Sequence, residues 1–189
     1  MVAGGILVVS TGNRARGPAA AHLLSAEASR RDLEVSVASA GLKVGEWRGL
    51  LFSMTEAMAT RGIAAQEHLA RALDVDELRS NGLVVTMTEQ QRRRVSRLDP
   101  SAIERCFTLR ELTRLVSSPR WQSRWDGAQD VVPRLHALRP FVPPADDAED
   151  IVDPARGGRR MARHVLNDVA AAVKRVSTPL FGPVPPRHS

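Results

Sequence analysis

Residues Ile6-Leu7-Val8-Val9-Ser10-Thr11-Gly12-Asn13-Arg14-Ala15-Arg16-Gly17-Pro18-Ala19-Ala20 decide how the chain is read. Four apolar residues, three of them β-branched, form a buried strand. A tight polar loop containing glycine follows. Pro18 then falls in the first turn of a helix, where its missing N–H costs nothing. Strand, loop and helix N-terminus in this order make an anion receptor, because the loop amides converge and the helix start adds positive potential. Arg16, at the end of the loop, can fork two N–H bonds to a phosphate-like oxyanion.

The 189 residues suit one domain with a sizeable core. No apolar run approaches the roughly 20 residues of a membrane span. The N-terminus carries neither a basic region nor a cleavage site of a signal peptide. The single cysteine, Cys106, has no partner for an internal disulfide. These features predict a cytoplasmic protein without a membrane partner. The net charge is +6, and apart from Lys43 and Lys174 the positive charge is arginine. The arginines are scattered instead of forming a stripe interleaved with aromatics. With no Tyr and four Phe, the chain lacks the stacking platforms of a nucleic-acid binder.

Strands and helices alternate. The patterns predict strands over 6–9, 34–40, 83–88 and 103–108. They predict helices over 18–31, from Ser53 or Thr55 to Arg61, and over 75–80, 89–97, 109–116 and 159–176. Asp74 is a cap for the third of these helices, and Asn81-Gly82 a turn. Cys106 lies in a strand and reads as core, not as a nucleophile. Residues 117–150 read as an irregular surface excursion with one short helix near Val131 to Leu138. It includes Trp121, Trp125 and the acidic run Asp146-Asp147-Glu149-Asp150. Residues 177–189 are proline-rich and read as a disordered tail. The expected architecture is a single α/β domain, 1–176. It is a three-layer sandwich with a four-stranded parallel sheet and helices on both faces.

The loop resembles the catalytic loop of the low-molecular-weight protein tyrosine phosphatases, Cys-x-Gly-Asn-x-Cys-Arg-Ser-Pro. Here those positions read Ser10, Thr11, Gly12, Asn13, Arg14, Ala15, Arg16, Gly17 and Pro18. The resemblance implies a phosphate cradle made by Thr11 to Gly17, with Arg16 gripping the oxygens and no metal or cofactor. It implies that Ser39 of Ser39-Ala40-Gly41, and His68 of His68-Leu69-Ala70-Arg71, brace Asn13. It makes Trp47 a wall of the substrate pocket and Asp153, in Asp153-Pro154, the general acid. The aromatic residue that follows Asp-Pro in the family is Ala155 here. The excursion resembles that of actinobacterial members.

The scaffold residues match the family and the chemical ones do not. The nucleophilic Cys is Ser10, the second Cys is Ala15, and the Ser that supports the thiolate is Gly17. A thiol starts near pKa 8.5 and loop amides can pull it far down. A hydroxyl starts several units higher and needs a general base to attack phosphorus. With no thiolate there is no charge for a Ser at 17 to stabilise, so the two losses agree with each other. Two main readings follow. One is a binding protein for phosphate or a phosphorylated small molecule or protein, a pseudophosphatase. The other is a phosphomonoester hydrolase or phosphoryl transferase using Ser10 or water, with Arg16 and Asp153. A different reaction in a repurposed pocket is a third class.

Overall fold

The computed structural model describes residues 2, 4–64, 67–122, 130–144 and 149–185. Strand β1 (Gly5–Ser10) is the axis of the molecule, with Ile6 to Val9 fully buried. It pairs in parallel with β2 (Val37–Gly41) on one side and β3 (Asn81–Thr86) on the other. Strand β4 (Cys106–Thr108) pairs in parallel with β3, which gives the order β2-β1-β3-β4. Continuous Val, Ile and Leu in β1 and β3 reflect burial on both faces of a parallel sheet. The period of two sorts the strand residues between two cores. Ile6, Val8, Leu83, Val85 and Phe107 face one, while Leu7, Val9, Val84 and Cys106 face the other.

The first core is covered by α1 (Arg16–Ser29), α2 (Phe52–Ala59), α5 (Leu109–Val116) and the long α8 (Gly158–Phe181). Leu78 of α3 (Val75–Ser80) and Val95 of α4 (Glu89–Leu98) cover the second. The expected three-layer sandwich is the architecture of the protein. Asp74 accepts from the backbone N–H of Asp76 and Glu77, as an N-cap does. Burial pushes the Cys106 thiol up to about 12, as expected of a core residue.

Several boundaries differ from the sequence reading. Asn81 and Gly82 open β3 instead of forming a turn. Residues 100–104 are a 3-10 helix, so β4 begins only at Cys106. Helix α2 starts at Phe52 without a side-chain cap from Ser53 or Thr55. The excursion is more than irregular chain. Besides the expected short helix, α7 (Val131–Leu138), it holds α6 (Pro119–Gln122), and Trp121, Val131, Val132, Leu135 and Leu138 join the main core. Arg139 pins it: its guanidinium lies 4.0 Å from the Phe107 ring centre and donates to Glu111 at 2.8 Å and to the Ile103 carbonyl at 2.6 Å. Trp125, Asp146 and Asp147 lie outside the described residues.

Helix α8 runs five residues beyond Val176, into the stretch expected to be a disordered tail, and it includes Pro179. A proline inside a helix costs about 3 kcal/mol. Leu180 and Phe181 are both buried. Burying a large apolar side chain contributes about 1.5–3 kcal/mol, so the pair offsets the proline. Residues 186–189 of the expected tail lie outside the described residues. Leu180→Ala should lower the unfolding free energy by about 2–5 kcal/mol in a denaturant titration. An unchanged midpoint would return residues 177–181 to a tail.

Candidate functional site

The loop is built where β1 ends. The carbonyls of Ser10 and Thr11 accept from the N–H of Leu42 (2.9 Å) and Lys43 (2.8 Å), which fixes the loop's outer edge to the chain after β2. Asn13 takes a left-handed backbone (φ 52°), a conformation Asn adopts more readily than most residues. Its side chain is fully buried, and Nδ2 donates to the Ser39 carbonyl at 3.1 Å. His68 Nε2 donates to the Asn13 carbonyl at 2.8 Å. The structure places both Ser39 and His68 against Asn13. Ser39 contributes its backbone carbonyl and not its hydroxyl, a group that any residue at that position supplies.

Among the described residues, the N–H groups of Gly12, Asn13, Arg14 and Ala15 donate to no other group. No side chain caps α1 at Ala15, and its first turn holds no acidic residue. The loop and the helix start thus present free donors together with the positive end of the helix dipole.

Arg16 is 6 % exposed. Its Nη1 donates to the Ile151 carbonyl at 2.7 Å and its Nη2 to Asp153 Oδ2 at 2.6 Å. Burial pulls its pKa down, and the charges of Asp153 and Asp150 push it back up. A guanidinium has five N–H donors, so among the described residues three remain for a ligand. Asp153 also caps the turn Pro154–Arg156, accepting from Ala155 N at 3.0 Å. Both of its oxygens are therefore acceptors. It is brought to Arg16 across 137 residues of chain.

What holds Asp153 there lay hidden in the acidic run. Glu149 accepts from Arg114 Nε (2.7 Å) and Thr108 Oγ1 (3.2 Å), and Asp150 accepts from Glu89 N (2.7 Å). The buried Ile151 donates its N–H to the Met87 carbonyl at 2.8 Å. Residues 149 and 150 were expected in a surface excursion. They instead staple the returning chain to the ends of β3 and β4.

Gln91 is a further site residue that the sequence reading missed. Its Nε2 donates to Thr11 Oγ1 at 3.0 Å, and its Oε1 accepts from Met87 N at 2.9 Å. A signal existed: Gln91 stands four residues before Val95, on the buried face of a helix that is otherwise arginine-rich.

Arg14 donates to the Gly49 carbonyl at 2.8 Å, and Leu51 N donates to the Arg14 carbonyl at 2.8 Å. These bonds hold the segment bearing Trp47 beside the loop. Trp47 itself is 79 % exposed and is not packed onto the loop as a wall.

Ser10 is buried, and its Oγ has no hydrogen-bond partner among the described residues; the same holds for Asn13 Oδ1. Both flank Gly17. A Cβ at that position would stand 2.6 Å from Ser10 Oγ and 3.3 Å from Asn13 Oδ1. The Gly at 17 is therefore what leaves room for the Ser10 hydroxyl in this orientation. Neither nearby histidine reaches that hydroxyl. His68 gives its Nε2 to Asn13. His22 has its pKa held down, first by burial and then by the neighbouring His68.

A family model described as low molecular weight phosphotyrosine protein phosphatase matches residues 5–122. The chain belongs to this family. The matched region contains the loop, Ser39 and His68 and ends before Asp153. A probable low molecular weight protein-tyrosine-phosphatase, AmsI from Erwinia amylovora, is 32% identical over 96 residues. That match spans 51% of this chain and 64% of the relative, less than two thirds of its length. Among solved structures, a mutant of YwlE from Bacillus subtilis superposes with a TM-score of 0.72 at 22% identity. The match covers 94% of this chain and 99% of that one. A second YwlE structure gives 0.71 at 23% identity, over 93% and 95% of the two chains. It is described as an arginine phosphatase mutant with a phosphorylated active site serine.

Two outcomes follow from the geometry. Gly17→Ala should cost about 1–3 kcal/mol of stability by overpacking against Ser10; removing the hydroxyl as well, in Ser10→Ala/Gly17→Ala, should restore most of it. The His22 pKa is lowered on folding, so the unfolded chain binds the proton first as pH falls below about 6.5. Stability should therefore fall between pH 7 and pH 5, and His22→Gln should flatten that slope in denaturant titrations.

Proposed function

We propose that the chain binds phosphate or a phosphorylated ligand in the Ser10–Arg16 loop and does not carry out the cysteine-dependent turnover of its family. The observation that carries this reading is the pairing of an intact receptor with an unactivated nucleophile. The free amides of 12–15, the uncapped start of α1 and the spare donors of Arg16 are all suited to an oxyanion. Thr11 to Gly17 line the receptor, and Ser39, His68 and Gln91 hold its shape. At its centre, Ser10 Oγ has no base within hydrogen-bond distance among the described residues. An anion entering the loop shares Arg16 with Asp153 or displaces it.

A second reading keeps Ser10 as a covalent phosphoryl acceptor, with Asp153 as acid. It is favoured by the buried, unpaired hydroxyl at a helix N-terminus and by the phosphorylated serine described for the YwlE mutant. In that reaction the donor's bond to phosphorus breaks and the Ser10 Oγ–P bond forms; Asp153 gives its proton to the departing oxygen, and the Ser10 hydroxyl proton passes to a phosphoryl oxygen.

Calorimetric titration with orthophosphate and tungstate separates these outcomes from an inert fold. The native chain should bind both. Arg16→Ala should weaken binding roughly 10- to 100-fold, the worth of a charge-assisted hydrogen-bonded contact. Equal affinity in the variant would end the binding reading. Turnover of an aryl phosphate that Ser10→Ala and Asp153→Asn each abolish would replace it with the second.

A further inference from the structure

Away from the loop, a cleft of about 430 Å³ lies between α5 and α8. Arg110 and Arg114 of α5 line it with Arg175 of α8, together with the carboxylates of Asp168 and Glu149. Two bonds cross it in opposite senses. Arg110 of α5 donates to Asp168 of α8 at 3.2 Å, and Arg175 of α8 donates to the Ser117 hydroxyl at the end of α5 at 3.3 Å. Both are long bonds between partly or fully exposed side chains, a class of contact that contributes little. His164 also faces Asp168, at 3.7 Å.

The charges do not cancel. Three guanidiniums meet two carboxylates, and Arg175 has no carboxylate partner among the described residues. Arg114 is the committed one, giving Nε to Glu149 at 2.7 Å and Nη1 to the Val142 carbonyl. Of the five donors on each guanidinium, Arg110 and Arg175 each spend one among the described residues. The floor is Ala171 and Ala172, small enough to leave the space open. No aromatic side chain lines the cleft.

We propose that this cleft is a second anion site and that it takes a short linear chain of phosphate groups. Guanidinium forks match phosphate oxygens in pairs, and a cleft between them is partly shielded from solvent. The spacing selects length. Arg110 and Ser117 are seven residues apart on α5, as are Asp168 and Arg175 on α8. The two crossing contacts therefore lie about 10 Å apart along the helices. A single orthophosphate cannot engage both ends at once, whereas a chain of phosphates with charge along its length can. The missing aromatic platform argues against a nucleobase as part of the occupant.

The test is calorimetry with inorganic ortho-, pyro- and tripolyphosphate on the full chain. In an Arg16→Ala background, affinity should rise with chain length, tripolyphosphate binding most tightly. Arg175→Ala, and separately Arg110→Ala, should weaken tripolyphosphate at least tenfold there. Both side chains reach solvent, so the fold should survive, with circular dichroism as the check. The exposed Arg94→Ala and Arg97→Ala on α4 should change nothing. If Arg16→Ala does not fold, the same comparison is made on the native chain with the loop saturated by tungstate. Unchanged tripolyphosphate affinity in both cleft variants would overturn the proposal. An equal loss in the α4 controls would overturn it too, by showing general charge attraction. Failure of the loop reading is seen separately, in the response of orthophosphate to Arg16→Ala.

Discussion

The guanidinium of Arg16 joins the beginning of the chain to its end. It is nearly buried, and it is held by the Ile151 carbonyl and the Asp153 carboxylate, 135 and 137 residues away. A buried cation without partners would cost several kcal/mol, so the returning segment is needed as much by Arg16 as by any ligand. The segment is in turn fixed by Glu149 on Arg114 and Thr108, by Asp150 on the start of α4, and by Ile151 on Met87. The site is the point where these constraints meet at the carboxyl ends of β1 and β3, where open parallel sheets leave a crevice.

Ser10 and Gly17 are coupled by their packing. Ser10 carries a small hydroxyl that turns toward residue 17, and only a residue without Cβ leaves it room. Among the described residues the hydroxyl has no hydrogen-bond partner. The receptor, by contrast, is braced from three sides: Asn13 by Ser39 and His68, and Thr11 by Gln91. Rigid placement of donors is what an anion site requires, with or without turnover. The second basic cleft, between α5 and α8, is independent of this machinery except at Glu149, which lines one and anchors the segment that completes the other.

Most of the architecture was legible because local patterns carried it. The run Ile6 to Val9 and the run Leu83 to Thr86 are apolar on both faces and could only be interior parallel strands. The spacing of Leu109, Leu112, Leu115 and Val116 defined α5, and Asp74 marked the start of α3. The misread places are those where distant packing overrides local preference. Pro179 signals a break, yet Leu180 and Phe181 bury enough apolar surface to carry α8 past it. The excursion looked irregular because its order comes from Arg139 and a set of apolar contacts with the main core.

The sequence by itself determined the strand-loop-helix order around Ser10 to Pro18 and the two arginines, Arg14 and Arg16, that the loop carries, since each is written in adjacent residues. It also named Ser39, His68 and Asp153 through their resemblance to family positions. Only the tertiary structure decided that Ser39 works through its carbonyl, that Gln91 belongs to the site, and that Trp47 stands in solvent. The same is true of the partners of Arg16 and of the Ser10 hydroxyl, which has no hydrogen-bond partner among the described residues. These depend on which backbone groups and side chains lie within about 3 Å of each other after folding. Contacts across a hundred residues leave no local pattern to read.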